Sequence, residues 1–139
     1  DYLGEAAFMD LHDIEHNTRD GLHIASLAGS WLALVAGFGG FRDHDGELTF
    51  APRRPPEVTR LAFRLTVRGR RLHVAVDDAG VTYTLEEGDE LALAHFGEAL
   101  TVRCGTPEVR DVPAPPRHER PTQPAGREPR QRVRSAEPK

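Results

Sequence analysis

Asn17-Thr18-Arg19-Asp20-Gly21-Leu22-His23-Ile24-Ala25-Ser26-Leu27-Ala28-Gly29-Ser30-Trp31 is the stretch on which the reading of this chain turns. Thr18 and Asp20 each carry a side-chain oxygen that can accept from the free N–H groups of a helix start, and the residues after Gly21 become steadily apolar. The spacing predicts a helix from Gly21 to Phe38 whose open end bears a Gly, a His and Ser26. Leu27, Trp31, Leu34 and Phe38 recur at helical steps on one bulky face. Ala25, Ala28, Gly29, Ala33, Ala36 and Gly37 supply a second surface of small residues that lets neighbouring helices come close. A helix apolar nearly all round is expected to be buried on several sides. Its strictly apolar part is shorter than the roughly 20 residues a membrane span needs, so no membrane partner is expected.

Gly37-Phe38-Gly39-Gly40 reads as the helix stop, and Asp45-Gly46 as a chain reversal. After Gly46 the apolar period changes to two. Leu48 and Phe50 alternate with polar neighbours, then Leu61, Phe63, Leu65 and Val67 do so, then Leu72, Val74 and Val76. Val81, Tyr83 and Leu85 follow, then Leu91 and Leu93, then Leu100 and Val102, with turns at Gly69, Asp77–Gly80, Glu87–Asp89 and Gly97. About six short strands of this kind predict an antiparallel sandwich with one buried and one wet face on each sheet. His73 and His95 are expected at its surface or rim, and Arg64, Arg68, Arg70 and Arg71 along a charged sheet edge.

The flanks are less ordered in pattern. Asp1–Asp20 is acid-rich, with a short helix plausible across Gly4–Asp10. His12-Asp13-Ile14-Glu15-His16 has the H-x-x-E-H spacing of a zinc site, but that chemistry needs a continuous helix through both His, and Asn17, Thr18, Asp20 and Gly21 read as loop and cap. Polar residues on an approach loop are therefore expected, with no metal. From Pro113 to Lys139 there are seven Pro and seven Lys/Arg against three acids, with Val133 almost the only sizeable apolar side chain, so this tail is expected to be disordered. Before it, eleven Lys/Arg face nineteen acids, and so acidic a body argues against a nucleic-acid partner. The single cysteine, Cys104, cannot form an internal disulfide. With no basic leader at Asp1, it fits a reducing cytoplasmic setting, and the chain reads as a cut through a longer protein.

Three blocks carry a resemblance: Asp10-Leu11-His12-Asp13 leading into Asn17–Trp31, Gly37-Phe38-Gly39-Gly40-Phe41-Arg42, and Leu48-Thr49-Phe50-Ala51-Pro52. Together they resemble the C-terminal end of glycoside hydrolase family 65, the maltose, trehalose and kojibiose phosphorylases with some trehalose-hydrolysing relatives. The resemblance covers roughly residues 1–105 and is most specific at Gly21-Leu22-His23-Ile24-Ala25-Ser26-Leu27-Ala28-Gly29. It implies an α+β fragment. Residues 1–42 would be the last helices of an (α/α)6 barrel, 43–112 a small antiparallel β-sandwich domain beside it, and 113–139 the tail.

The resemblance also implies a chemistry: inverting phosphorolysis, in which a Glu protonates the glycosidic oxygen while inorganic phosphate attacks the anomeric carbon from the opposite face. Phosphate replaces the base-activated water of an inverting glycosidase, giving β-glucose 1-phosphate. No acid here matches the motif of that Glu, so no catalytic residue is expected in this chain, and the chain alone is expected to be inactive. The expected partners are disaccharide, inorganic phosphate as co-substrate with no other cofactor, the rest of the catalytic domain, and a second copy in a homodimeric parent enzyme. The alternatives are a trehalose-type hydrolase of the same family and a non-catalytic structural or carbohydrate-binding β-module.

An anionic nucleophile needs a cradle, and the opening stretch has the parts. N–H groups near Gly21 and Leu22 favour an anion, with a dipole contribution of about 0.3–1 kcal/mol. His23 offers a ring nitrogen and Ser26 a hydroxyl on the same face, and hydrogen bonds to a charged group are worth about 1.5–3 kcal/mol each, so the side chains dominate. Read from the residues alone, His23 is either a polar residue at a helix start or a site residue. By the resemblance, it and more loosely Gly21, Leu22 and Ser26 lie at the phosphate.

Overall fold

The computed structural model describes residues 2–16, 18–116 and 126. The expectation of a disordered tail therefore lies outside the described residues, apart from 113–116 and Gly126, and so does Asn17. Helix α1 spans Tyr2–Phe8, close to the short helix expected there. A single 3-10 turn at Thr18–Asp20 follows, then helix α2 at Ile24–Leu32, which widens without a break into a π-helical turn at Ala33–Phe38.

The helix thus ends where the glycines predict but begins later than Gly21. Thr18 and Asp20 do not cap it. The Thr18 hydroxyl and N–H both donate to Asp13 Oδ1, at 2.9 and 3.1 Å, and His23 occupies the N-cap position without a side-chain cap bond. A carboxylate five residues upstream outcompetes the helix for Thr18, a pairing that cap preferences alone do not reveal.

Eight strands follow: β1 Arg42–His44, β2 Glu47–Phe50, β3 Leu61–Val67, β4 Arg70–Asp77, β5 Gly80–Glu87, β6 Glu90–His95, β7 Glu98–Arg103 and β8 Glu108–Arg110. They form two four-stranded sheets, ordered β1-β2-β6-β7 and β3-β4-β5-β8. The six strands expected from period two are β2 to β7. The three-residue β1 and β8 carry no buried side chain, so no alternation marked them. The sheets are antiparallel except where β2 runs parallel to β6, Thr49 beside Ala94 and Phe50 beside His95. A long excursion through Pro52, Pro55 and Pro56 carries the chain from β2 to the other sheet, and only a hairpin would have forced an antiparallel neighbour.

The hairpins have local causes. Asp45-Gly46, Arg68-Gly69 and Phe96-Gly97 each join paired strands with two residues of positive φ, the twist-matched turn that a second-position Gly favours. At Asp77–Gly80 the Asp77 carboxylate accepts the Ala79 N–H at 2.9 Å. Between the sheets the alternating apolar residues form one core, including Leu48, Phe50, Leu72, Val74, Val76, Val81, Tyr83, Leu85, Leu93 and Val102. Among the four arginines expected along a sheet edge, Arg64 lies on edge strand β3, whereas Arg70 and Arg71 belong to interior strand β4. Arg64 and Arg71 pair with Glu86 and Glu87.

Val35, from the π-helical turn, is buried in the same core, with Phe38 and Phe41 packed against it. Gly40 secures the join. Its φ is +62°, and a Cβ there would stand 2.3 Å from the Ala51 carbonyl oxygen. The sandwich therefore grips the C-terminal end of the helix, and α2 runs from that anchor to His23. Its other faces are open in this chain: of α2 and the π-helical turn only Ser30 and Val35 are buried, while Leu27, Trp31 and Leu34 are exposed. The all-round burial expected of this helix is absent because, among the described residues, it is covered by α1 and one end of the sandwich and left open elsewhere.

Candidate functional site

The helix start is assembled from three separate pieces of chain. After α1 the chain coils through a run of turns, in which His12, Asp13 and Ile14 donate backbone bonds back to Phe8, Asp10 and Met9. This coil brings the Asp10 carboxylate against His23. Oδ2 accepts the His23 backbone N–H at 2.8 Å, and Oδ1 lies 2.5 Å from the ring Nδ1. The Asp10 side chain is only 8% exposed and that of His23 32%. The ring bond from His23, opposed by desolvation and aided by the backbone bond, holds the Asp10 carboxyl below the usual carboxylate range. An ionised carboxylate is an acceptor only, so Nδ1 carries the proton and Nε2 is left for another partner. Among the described residues Nε2 makes no hydrogen bond.

The other predicted cradle residues are placed around it. The Gly21 N–H donates to the Thr18 carbonyl at 3.1 Å, and Gly21 has a φ of +135°, which suits a residue without Cβ. The Leu22 carbonyl accepts the Ile24 N–H at 2.9 Å, and the Leu22 N–H is unbonded among the described residues. Ser26 lies one turn beyond His23, but its hydroxyl donates to the Ala6 carbonyl of α1 at 2.8 Å. So Ser26 ties α1 to α2, as Ser30, donating to the Ser26 carbonyl, does not. Asp10 was missed as a site residue: the sequence shows an acid thirteen positions away, and only the coil between them makes it a neighbour.

His12-Asp13-Ile14-Glu15-His16 lies in that coil, with Asp13 and His16 at φ of 47° and 53°, so the helix an H-x-x-E-H zinc site requires is not formed. Among the described residues no group of three His, Cys, Asp or Glu is placed to hold a metal ion.

Within the sandwich, His95 departs from its expected rim position. It is 4% exposed, its Nδ1 lies 2.8 Å from the Tyr83 hydroxyl and its Nε2 2.9 Å from the Asp111 carbonyl. A carbonyl can only accept, so Nε2–H donates to Asp111 and Nδ1 accepts from Tyr83. Burial pushes the Tyr83 hydroxyl pKa up, which keeps it a donor. Both rings are satisfied core groups. Tyr83, an aromatic ring of the kind a sugar platform would have to expose, is fully buried, and Phe96 is half-buried beneath the Arg53 guanidinium, 4.8 Å from the ring centroid. His73, on β4, is partly exposed, and Cys104 is exposed just past β7, bridged to Leu85. An open depression of about 360 Å³ over the β2–β6 sheet, lined by Leu48, Thr49, Arg68, Ala92 and Ala94 among others, belongs to the sandwich rather than to His23.

Comparison with known proteins places this chain among the glycosyl hydrolases. Residues 41–102 match glycosyl hydrolase family 65, C-terminal domain. An uncharacterized glycosyl hydrolase of Mycobacterium leprae (strain TN) is 52% identical over 136 residues, covering 93% of this chain and 17% of the relative. An alpha,alpha-trehalose phosphorylase of Thermoanaerobacter brockii is 38% identical over 104 residues, covering 75% of this chain and 13% of the relative. A solved structure from the human microbiome that carries the name of a kojibiose phosphorylase superposes with a TM-score of 0.71 at 27% identity, covering 84% of this chain and 17% of the other. The chain belongs to glycoside hydrolase family 65, and it spans less than a fifth of the length of these relatives. No helix among the described residues is long and apolar enough to cross a membrane.

Proposed function

We propose that this chain is the C-terminal part of an inverting disaccharide phosphorylase, in which the start of α2 holds the inorganic phosphate that attacks the sugar. The observation that carries the proposal is the His23 ring, fixed by Asp10 at the helix start with Nε2 uncommitted. The likeness to a trehalose phosphorylase supports the reaction class. Residues 1–42 then close an (α/α)6 barrel whose remaining helices cover Leu27, Trp31 and Leu34, residues 43–112 are the supporting sandwich, and the tail begins at 113. The general acid, a Glu, belongs to the remainder of that enzyme, which is a homodimer in a reducing cytoplasm. Its substrates are an α-linked glucose disaccharide and phosphate, and it needs no resident cofactor.

In this reading His23 Nε2 and the Leu22 N–H make the primary contacts with phosphate. Gly21 lets the chain turn into the site, and Ser26 reaches the anion only by giving up Ala6. The burial of Tyr83 weighs against a sugar-binding role for the sandwich.

The test uses the full-length enzyme carrying this chain, supplied with maltose, trehalose and kojibiose with and without phosphate. The expected product is β-glucose 1-phosphate, formed only when phosphate is present. His23→Ala is expected to lower phosphorolysis about 10- to 100-fold, the size of one lost hydrogen bond to a charged group. Full phosphate-dependent activity in that variant overturns the cradle. Phosphate-independent release of glucose replaces the phosphorylase by a hydrolase of the same family, and saturable disaccharide binding without turnover replaces it by a binding module.

A further inference from the structure

We propose that Asp10 is the positioning residue of the phosphate site, taking the Nδ1 proton of His23 and so fixing Nε2 as the ring atom that meets the anion. The inference rests on the phosphate reading above and adds to it a residue outside the helix start. One carboxylate binds both the main chain and the ring of His23, at 2.8 and 2.5 Å, so the backbone entering α2 and the plane of the imidazole are set by a single group. Asp10 itself is held by the coil after α1, where its carbonyl accepts the Asp13 N–H.

The arrangement has a chemical consequence in each protonation state of the ring. With the ring neutral, Nδ1–H points to Asp10 and Nε2 is a bare acceptor for the O–H of a hydrogen phosphate. With the ring protonated, Nε2–H donates to a phosphate oxygen, and the imidazolium lies between two anions, Asp10 and the ligand. Nε2 is therefore matched to phosphate in either state. The other neutral tautomer is excluded because it sets a bare Nδ1 against a bare carboxylate oxygen. A carboxylate behind a ligand-binding imidazole is a recurrent device for fixing ring orientation, and its loss typically costs 10- to 100-fold in affinity or activity.

Asp10→Asn separates this role from a merely structural one. The carboxamide oxygen keeps the bond to the His23 backbone N–H, because the amide nitrogen facing that N–H would be a donor against a donor. The NH2 group then faces Nδ1 and requires it to accept, which moves the proton of the neutral ring to Nε2. Nitrogen NMR of the imidazole in the 139-residue chain, at a pH where the ring is neutral, reads this directly. The wild type is expected as the Nδ1–H tautomer and Asp10→Asn as the Nε2–H tautomer, with the sandwich amides unmoved in both. In the full-length enzyme the same substitution is expected to raise the KM for phosphate by roughly 10- to 100-fold and to leave the KM for the disaccharide in place.

An Nε2–H tautomer in the wild type, or the same tautomer in both proteins, overturns the role of Asp10. Adding inorganic phosphate to the full-length wild-type enzyme tests the underlying reading separately. A saturable change at Nε2 supports it. No change, together with a tautomer that switches on substitution, overturns phosphate as the ligand and leaves only the Asp10–His23 pair.

Discussion

In the sandwich, Phe50, Leu72, Val74, Val81, Tyr83 and Val102 are at most 1% exposed, whereas in the helical segment Trp31 is 48% and Leu32 54% exposed. The sandwich covers its own apolar residues with two sheets of its own and takes one more, Val35, from the helix. The helical segment has no comparable core. Its order comes from polar pairs of medium range: Asp10 on His23, Asp13 on Thr18, Ser26 on Ala6. The two ends of one helix therefore rest on different physics. Its C-terminal end is set by hydrophobic packing and by a glycine that only a backbone contact can fill. Its N-terminal end, where His23 stands, is set by hydrogen bonds that individual protons and side chains can undo.

The sharpest way to break this contrast is to remove one large side chain from each region. Phe50→Ala takes out a ring that meets Tyr83 edge-on at 5.4 Å between centroids, and is expected to cost about 3–5 kcal/mol. Trp31→Ala removes a larger ring that this chain leaves half-exposed, and is expected to cost about 1 kcal/mol or less. Urea unfolding of the 139-residue chain followed by sandwich amides measures both. Equal costs would mean that Trp31 is covered in solution and that the contrast fails. In a longer protein whose other helices bury Trp31, its cost should instead rise toward that of Phe50.

Tyr83→Phe is the intermediate case. It keeps the ring in the core but removes the hydroxyl that satisfies His95 Nδ1, while Nε2 remains committed to the Asp111 carbonyl. An acceptor left without a partner at a 4% exposed residue is expected to cost about 1–3 kcal/mol, visible as a lower unfolding midpoint with an unchanged denaturant slope. A neutral result would show that His95 finds water, and that this corner of the sandwich is wetter than its packing indicates.

The same division governs what the sequence revealed. Period-two alternation placed six strands and almost every core residue, because in a sandwich the face of a residue follows from its parity. It missed β1 and β8, which have no buried side chain, and the parallel β2–β6 contact, which depends on where a proline-rich loop returns. His95 looked like a rim residue because a lone His in a strand does not disclose a bond to a Tyr on the preceding strand, which lies in the opposite sheet. At the site, His23 was legible as a residue at a helix start, whereas the bonds that take up the Gly21 N–H and the Ser26 hydroxyl, to Thr18 and Ala6, were not. Asp10 was not, since its link to His23 crosses thirteen residues of irregular coil, and the later start of α2 followed from that link and from Asp13 holding Thr18.

Acid gives the finest test of the contrast, because it acts on the polar pairs and leaves apolar packing alone. Asp10 has a folded pKa lowered first by the ring bond from His23, and Glu86 in the sandwich has one lowered first by Arg64, whose Nε lies 3.0 Å from both carboxylate oxygens. A carboxyl depressed in this way contributes stability that is fully present above its unfolded pKa and is lost as pH falls through its lower folded value. Acidification through that window should therefore release His23 from Asp10 and Arg64 from Glu86. The first event frees a helix start that has no core beneath it, and the second leaves Val74 and Val81 as buried as before. Amide NMR during acid titration is expected to show the His23 N–H moving with the Asp10 carboxyl and exchanging faster with solvent, while the Val74 and Val81 amides hold their positions. In Asp10→Asn the His23 response in that window should largely disappear, since the carboxyl bonded to the His23 N–H and ring is gone and Asp13, the next nearest, is bonded to Thr18 instead. A sandwich that loosened with the same midpoint as His23 would show that the two ends of the helix are coupled, and that the site is supported by the core after all.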